Sequence, residues 1–375
     1  MAEARSGAPR VGVIVNPIAG MGGTVALHGT DGDAAAEALR LGARPAAGAR
    51  MRRALAGLAA THSAPFAVLT APGDMGEHSA RDAGVTIERV LGAASTPTTA
   101  DDTRAAAASM REAGVDLILF AGGDGTAADI VAAVGDETTI LGIPSGVKMH
   151  SGVFAHTPES AGRVAAEFLA QAEPRRSIES EVIDVVAGGT DPARISLARV
   201  PRTTARVQGP KISRTRDTLA ETRALGREIA AQMRPATSYI LGPGSSVGTI
   251  LTALGLEGTR NGFDIVRDGE LVARDVTEAQ LDEHLSSHPE CVLVLGVVGG
   301  QGFLLGRGNQ QVSPRVLAHF ADDDIIVIAA QDTLDALHPP VLHVDLGSTE
   351  PHVALRGYRS VRTSPTRSTI VRVEN

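Results

Sequence analysis

Five consecutive residues, Gly122, Gly123, Asp124, Gly125 and Thr126, have the types and spacing that could bind a phosphate group. Glycines free the backbone to adopt conformations closed to other residues, and their amides approach anionic oxygens without an intervening Cβ atom. Thr126 stands at the start of a predicted helix, whose amino end attracts phosphate through unpaired amides and the helix dipole. We therefore predict that this loop binds phosphate.

Asp124 points to a reaction as well as to binding. A carboxylate placed among phosphate-binding amides repels the ligand unless it has a separate task. Two tasks suit it: holding a magnesium-bound water, or accepting a proton from an attacking hydroxyl. The alternative is a structural aspartate that caps the helix or fills a tight turn, as Asp beside Gly often does. We take Asp124 as the candidate catalytic residue, and no spacing of His and Cys in the sequence suggests a protein metal centre.

Two further loops are expected at the same edge of the sheet as Asp124, because each follows a short apolar strand. The first follows the strand at Val11 to Val15, and the second follows the strand at Thr139 to Ile143. The candidate cofactor contacts in these loops are Asn16, Gly20, Gly22, Gly23, Lys148 and Ser151. A lysine at a strand end suits charge neutralisation of phosphate, and the alternative is a solvated loop lysine.

Two loops in the second half of the chain also follow strand patterns. Their amides and hydroxyls suit a phosphate or a ribose, and Arg307, Asn309 and Gln310 nearby are donors suited to phosphate or carboxamide. The candidate contacts are Gly242, Gly244, Ser245, Ser246, Gly300, Gln301 and Gly302. The alternatives are an ordinary capped turn in the first loop and glycines that only permit close packing in the second.

The elements that must position these residues alternate between strand and helix patterns. The predicted strands of the first half are short apolar runs at 11–15, 66–70, 115–120 and 139–143, and helical spacing occupies 34–40, 46–60, 100–113 and 126–134. This alternation, with glycine-rich turns at strand ends, predicts an α/β fold with a doubly wound, mostly parallel sheet. Ligands bind such sheets beyond the carboxyl ends of the strands.

The pattern changes after Pro174, where strands appear with few helices between them. We predict a nucleotide-binding domain at 1–175 and a second, acceptor-binding domain at 176–325 that is mixed α/β or β-rich. The segment 326–375 is predicted to return and pack on the first domain. A chain of 375 residues is long enough for two domains of the usual ~150 residues each.

The amino-acid composition limits the classes of protein to which this chain can belong. The formal charge of −8 offers no basic surface for nucleic acid, and no run approaches the ~20 apolar residues of a membrane span. The single cysteine, Cys291, lies in an apolar run, which predicts a buried thiol and a reducing compartment. We therefore expect a cytoplasmic protein without a nucleic-acid or membrane partner. A homodimer is common at this size.

Several segments, taken together, resemble one family. The sequences VNPIAGMGG, HGTDG, AGGDGT, GIPSGVKMHSGVFA, LGPGSS and GGQGFLLGRGNQQVSP occur in this order from Val15 to Pro314. They resemble the ATP-NAD kinase-like family, specifically its AcoX-like group, within the superfamily of NAD, diacylglycerol and sphingosine kinases.

This resemblance implies transfer of a phosphoryl group from ATP, or from polyphosphate, to the 2′-hydroxyl of the adenosine ribose of NAD, which gives NADP. It implies that Asp124 acts as general base and that Mg²⁺ accompanies the donor. The chain departs from the family pattern at His28 and at Arg260 to Gly262. It also lacks the asparagine-glutamate pair of NAD kinases proper, so the acceptor stays open.

Two alternatives to an NAD kinase remain. One is a related kinase that phosphorylates another nucleoside or small hydroxylated metabolite. The other is a nucleotide-binding regulator without turnover, which has no need of a base among phosphates. A lipid kinase is disfavoured, because the low aromatic content and acidic balance offer no membrane-facing surface.

Overall fold

The computed structural model describes residues 8–27, 34–146, 149–172, 174–184, 194–202, 216–259, 261–299, 301–337, 339–346, 355 and 357–374. The chain divides into two compact units. The first unit consists of Met1–Met21 and Arg44–Gly209, and the second consists of Gly22–Ala43 and Pro210–Asn375. No helix among these residues is long and apolar enough to cross a membrane.

Strands and short helices alternate along most of the described chain. The strands are β1 (Arg10–Val15), β2 (Ala67–Thr70), β3 (Ile87–Val90), β4 (Leu117–Gly122), β5 (Ile140–Pro144), β6 (Ser177–Asp184), β7 (Arg194–Pro201), β8 (Ser238–Leu241), β9 (Asp264–Arg267), β10 (Glu270–Ala273), β11 (Cys291–Gly296), β12 (Phe303–Leu305), β13 (Ile325–Ile328), β14 (Val341–Val344), β15 (Gly357–Ser364) and β16 (Arg367–Glu374). The α-helices are α1 (Ala34–Arg40), α2 (Ala47–Thr61), α3 (Glu77–Asp82), α4 (Ala100–Glu112), α5 (Asp124–Val134), α6 (Pro158–Leu169), α7 (Arg216–Ala231), α8 (Gly248–Ala253), α9 (Glu278–Ser287), α10 (Pro314–Leu317) and α11 (Gln331–Asp335).

The first unit is built on a five-stranded parallel sheet in the order β3-β2-β1-β4-β5. Apart from Arg10 at the start of β1, its central strands β1 and β4 are apolar because both faces are covered, as expected for a parallel sheet. The chain runs outward from β1 to β3 and then crosses back to β4, so the topological switch point lies between β1 and β4. Ligand crevices open at such points, beyond the carboxyl ends of the strands.

Helices cover both faces of this sheet. Val11 and Val13 of β1 point into one apolar cluster, which α2 and α6 complete with residues such as Met51 and Phe168. Ile14 points into the opposite cluster, which includes side chains from α4 and α5. Because consecutive residues of one strand are buried on opposite sides, the unit is a three-layer α/β structure, and the predicted doubly wound class is confirmed.

A β-hairpin, β6 and β7, packs against the second of these clusters. The two strands are antiparallel over their whole length, with Ile183 opposite Ile195. One face buries Val182, Ala198 and Val200 in the cluster that contains Ile14. The hairpin therefore belongs to the first unit.

The second unit contains a nine-stranded mixed sheet in the order β10-β9-β8-β11-β13-β15-β16-β14-β12. Strands β8, β11, β13 and β15 pair in parallel, whereas β8 pairs antiparallel with β9, and β15 with β16. This mixed α/β architecture matches the predicted class of the second domain. Cys291 is buried at the start of β11, and its thiol donates to the carbonyl of His288 at 2.9 Å.

The units divide the chain differently from the predicted boundaries. The hairpin at 177–201 lies with the first unit, because its apolar face completes that unit's core. Residues 326–375 lie with the second unit, because β13, β15, β16 and β14 are interior strands of the nine-stranded sheet. The change of pattern after Pro174 therefore marks the hairpin and not the start of the second unit.

Candidate active site

The loop at Gly122 lies where β4 ends and α5 begins, beside the switch point of the sheet. An added Cβ at Gly122 would lie 2.5 Å from the side chain of Thr126, so local packing requires glycine there. An added Cβ at Gly125 would meet no atom within 4 Å, and at Gly123 the nearest atom, the Cα of Gly146, is 3.4 Å away. Packing does not explain Gly125, which is exposed at the amino end of α5.

The loops that follow β1 and β4 are joined by one backbone and one side-chain hydrogen bond. The backbone N–H of Asn16 donates to the carbonyl of Ala121 at 2.9 Å, and its side-chain amide donates to the Thr126 hydroxyl oxygen at 3.0 Å. Thr126 is buried. The structure thus brings together two predicted phosphate contacts, but their side chains bond to each other and fix the loop.

The loop that follows β5 joins the same edge. Gly20 has φ +75°, and an added Cβ would lie 1.7 Å from the carbonyl oxygen of Ser145, so only glycine fits. The N–H of Ser145 in turn donates to the carbonyl of Gly122 at 3.0 Å. Three loops therefore converge at the carboxyl ends of β1, β4 and β5.

The carboxylate of Asp124 is held by two residues that follow β5. Its Oδ2 accepts the backbone N–H of His150 at 2.6 Å. Its Oδ1 accepts the backbone N–H of Ser151 at 3.0 Å and the Ser151 hydroxyl at 2.5 Å. The helix α5 has no side-chain cap, since Gly123 is its N-cap residue. Asp124 therefore bonds across to another loop and does not cap its own helix.

Burial and hydrogen bonding act on the pKa of Asp124 in opposite directions. Burial of the half-buried carboxyl group raises its pKa, while the bonds from Ser151 and His150 lower it, and the net direction is upward. A carboxylate with a raised pKa is a stronger base than an ordinary aspartate. The group is therefore held in place and suited to accepting a proton.

Sequence reasoning missed a cation at this edge. The guanidinium Nε of Arg50, in the first turns of α2, donates to the carbonyl of Pro144. Pro144 is paired in register with Gly122, so the Arg50 side chain reaches the strand end beside the glycine loop. No sequence pattern distinguishes Arg50 from the other arginines of α2. The predicted cation, Lys148, lies outside the described residues.

The side chains at this edge of the sheet suit Mg²⁺ only when a nucleotide is bound together with the ion. Mg²⁺ is usually bound through one or two carboxylates and substrate phosphates. Among the described residues no group of three or more His, Cys, Asp or Glu side chains could hold a metal. Asp124 already accepts three hydrogen bonds, so the ion would depend on the donor's phosphates for most of its ligands.

The remaining candidates lie in the second unit. An added Cβ at Gly23 would lie 2.9 Å from the side chain of Gln310, and Gly22 is buried. Gly242 follows β8, and an added Cβ at Gly242 would lie 3.0 Å from the carbonyl oxygen of Val294. Packing therefore accounts for Gly23 and Gly242.

The rest of the Gly242 loop is more open. Gly244 has φ +113° and open space around it, so its backbone conformation and not its packing favours glycine. Ser245 is exposed, and Ser246 is buried. Gly244 and Ser245 are therefore the exposed residues of this loop.

Packing is the main reason for the residue types in the loop that contains Gln301. An added Cβ at Gly302, which has φ +70°, would lie 2.9 Å from the carbonyl of Val341. Gln301 is buried, and Gly300 lies outside the described residues.

Arg307 and Asn309, whose types suit ligand donors, contact neighbouring groups of the protein. The guanidinium of Arg307 lies 4.2 Å from the centre of the Phe303 ring and pairs with buried Asp345 at 3.4 Å. The Asn309 side chain accepts the N–H of Gly306 at 2.7 Å and donates to the carbonyl of Leu304 at 2.8 Å. Both side chains are buried, and they hold the loop that follows β12.

Three loops converge at the switch point of this parallel sheet, and one of them is glycine-rich and carries the half-buried carboxylate of Asp124, an arrangement in which α/β proteins bind ligands. The ATP-NAD kinase N-terminal domain matches residues 11–173, and the ATP-NAD kinase C-terminal domain matches residues 236–373. This chain belongs to the ATP-NAD kinase family, which confirms the resemblance. No curated protein and no solved structure matches it.

Proposed function

We propose that this protein transfers the terminal phosphoryl group of ATP to the 2′-hydroxyl of the adenosine ribose of NAD, which produces NADP. The observation that carries the proposal is the carboxylate of Asp124, held by His150 and Ser151 beside the open amino end of α5. The matches to both domains of the ATP-NAD kinase family support ATP and NAD as the two substrates.

In the proposed reaction the 2′-hydroxyl loses its proton to the carboxylate of Asp124. The ribose oxygen forms a bond to the γ-phosphorus, and the bond from that phosphorus to the β–γ bridging oxygen breaks, so that ADP leaves with the electron pair. Phosphoryl transfer depends mainly on alignment and charge neutralisation. Amides at Gly123 to Gly125 and the Arg50 guanidinium suit the charge on the donor, and bound Mg²⁺ supplies further neutralisation.

Polyphosphate is the alternative donor. The amino end of α5 and the Arg50 guanidinium suit contacts with phosphate oxygens and not with a base or sugar. Both ATP and polyphosphate therefore suit this edge of the sheet. Parallel assays with ATP and polyphosphate at equal phosphate concentration distinguish them.

A second acceptor class is favoured by the segment that departs from the family pattern. An added Cβ at Gly262 would lie 1.9 Å from Oδ1 of Asp275, so this glycine is required by its surroundings. The buried carboxylate of Asp264 accepts the N–H groups of Thr259 at 2.6 Å and of Asp275 at 3.0 Å. Thr259 and Gly262 are thereby fixed beside the carboxyl end of β8, where Asp264 pairs with Leu241. Arg260 and His28, which also depart from the family pattern, lie outside the described residues. A fixed, altered loop supports a related kinase that phosphorylates another nucleoside or small hydroxylated metabolite.

An endpoint assay decides between these acceptors. Purified protein with Mg²⁺ and ATP is offered NAD, NADH and a panel of nucleosides in turn, and the phosphorylated product is identified by mass spectrometry. NADP from NAD supports the first proposal. ATP consumption with NAD unchanged and another acceptor modified supports the second, and no turnover with any acceptor supports a nucleotide-binding regulator.

The role of Asp124 is tested by the variant Asp124→Asn. We expect kcat to fall by roughly 10²-fold or more, because an amide cannot accept the proton. The matched control is Asp129→Asn, since Asp129 lies on the same helix and pairs with Arg104. Near wild-type turnover by Asp124→Asn would contradict the mechanism for either acceptor.

A further inference from the structure

Ser151 has surroundings that differ from those of a ligand contact. Its relative exposure is 1%, so its hydroxyl cannot reach a bound nucleotide. That hydroxyl lies 2.5 Å from Oδ1 of Asp124. We propose that Ser151 is a positioning residue that holds Asp124 so that Oδ2 is the oxygen that receives the acceptor's proton. This inference rests on the proposed function, because it assigns a role to that same base.

The direction of the Ser151 hydroxyl is fixed by the hairpin. The backbone N–H of Ile183 in β6 donates to the Ser151 oxygen at 2.9 Å. Since a donor already occupies that side of the oxygen, the Ser151 proton must point elsewhere. The carboxylate at 2.5 Å is a far closer acceptor than the Ile183 carbonyl at 3.5 Å. Ser151 therefore donates to Asp124.

The loop that carries Ser151 is itself anchored on β6. The N–H of Gly152 donates to the carbonyl of Glu181 at 2.8 Å, and the hydroxyl of Ser180 donates to the carbonyl of Gly152 at 2.8 Å. Strand β6 thus holds the backbone on the far side of Ser151 from the carboxylate. The orientation of the base depends on the hairpin as well as on the sheet.

The hydrogen bonds distinguish the two carboxylate oxygens of Asp124. Among the residues that the structure describes, Oδ1 accepts both the N–H and the hydroxyl of Ser151, whereas Oδ2 accepts only the N–H of His150. A carboxylate oxygen has about two lone-pair sites, so Oδ1 is saturated and Oδ2 keeps one. In the proposed step the acceptor's O–H bond breaks and a new O–H bond forms at Oδ2, while the acceptor oxygen bonds to the γ-phosphorus and ADP leaves.

The test is the pH dependence of kcat for Ser151→Ala. The serine's hydrogen bonds favour the ionised carboxylate, so their loss is expected to move the acid limb of the profile to higher pH. We expect kcat at neutral pH to fall by roughly 10- to 100-fold through misplacement of the base, with little change in KM for ATP. Among the described charged groups, His150 faces this carboxylate, so the shift must persist in a His150→Gln background.

The matched control is Ser180→Ala. It removes a hydrogen bond to the same loop without touching Asp124, so it is expected to lower the unfolding temperature but leave the acid limb in place. Ser151→Cys serves where Ser151→Ala fails to fold, because the thiol is a weaker donor of similar shape. An unmoved acid limb in either Ser151 variant, or an equal shift in Ser180→Ala, would overturn the inference.

These results separate the inference from the function itself. If Asp124→Asn abolishes turnover while Ser151→Ala keeps the wild-type profile, Asp124 remains the base and the positioning role of Ser151 is wrong. If Asp124→Asn keeps wild-type turnover, the proposed mechanism is wrong whatever the Ser151 variants show.

Discussion

As the proposed general base, the carboxyl group of Asp124 must meet two opposed requirements. It must be basic, which burial favours by raising its pKa, and it must stay ionised and oriented, which the amides of His150 and Ser151 favour. Burial is the larger effect on the pKa. The surrounding chain therefore raises the pKa of this carboxyl group without leaving the carboxylate free to rotate.

The first residue-scale prediction concerns pH. A base must be ionised, so activity is present above the pKa of Asp124 and is lost as the pH falls through it. Because that pKa is raised, the acid limb of the kcat profile should lie above the ~3.9 of an ordinary aspartate. A profile measured with several buffers at constant ionic strength checks this. An acid limb at or below the ordinary value would contradict the raised pKa.

Gly125 offers a second residue-scale prediction. Alanine fits there without contacts and is more favourable than glycine in a helix by about 0.5–1 kcal/mol. We expect Gly125→Ala to keep or raise the free energy of unfolding while raising KM for ATP, because the methyl group lies where phosphate would approach the backbone. Denaturant unfolding and initial-rate kinetics on the same preparation measure both effects. An unchanged KM would mean that the donor does not approach Gly125.

At the scale of elements, the loops after β1, β4 and β5 act as one assembly. Asn16 bonds to Thr126, Gly20 packs on the carbonyl of Ser145, and Ser145 bonds to Gly122. Each contact joins the end of one strand to the end of its neighbour. Because the strands are parallel and adjacent in the sheet, their carboxyl ends meet at one edge and such contacts can form.

Gly20→Ala tests this assembly. The substitution combines a positive φ with a Cβ that would lie 1.7 Å from a carbonyl oxygen, so the loop must move. We expect a loss of at least about 1–3 kcal/mol in the free energy of unfolding, the usual range for strained backbone, together with reduced turnover. Gly84→Ala is the matched control, since Gly84 has φ +70° but open space around it. Equal losses in both variants would show that φ alone, and not the contact, matters.

Some helices and strands could be predicted from the sequence, and others could not. The span of α1 agrees with the predicted one, because its periodicity is uninterrupted. Strand β3 was missed, since it is an edge strand with mostly exposed residues and no apolar run. Helix α6 was also missed, although Thr157 and Ser160 form a capping box before it and Pro158 opens it, which is a readable signal.

At the scale of the whole molecule, the match to both family domains spans most of the chain. The acceptor-binding role of the second domain, the homodimer and the cytoplasmic location remain predictions. Because the net charge is −8, the proposed phosphate site depends on local positive charge, which the amino end of α5 and the Arg50 guanidinium supply.

Ligand-induced stabilisation is the whole-molecule prediction. A ligand that binds only the folded protein stabilises it by about 2.7 kcal/mol at 100 times its dissociation constant. We expect the unfolding temperature to rise with Mg²⁺ and ATP, and to rise separately with NAD. Adenosine monophosphate is a useful control, because it lacks the terminal phosphates. No response to NAD, alongside a response to ATP, would point to another acceptor.

The sequence by itself determined the parallel sheet, the strands that end in glycine-rich loops and the family, because apolar runs, glycines and motif order are local properties of the chain. Only the tertiary structure decided the roles of individual side chains. His150 and Ser151, 26 and 27 residues from Asp124 respectively, hold its carboxylate, and Arg307 is buried against Asp345. Such partners depend on strand order and on how loops cross the sheet edge, and local pattern does not encode either.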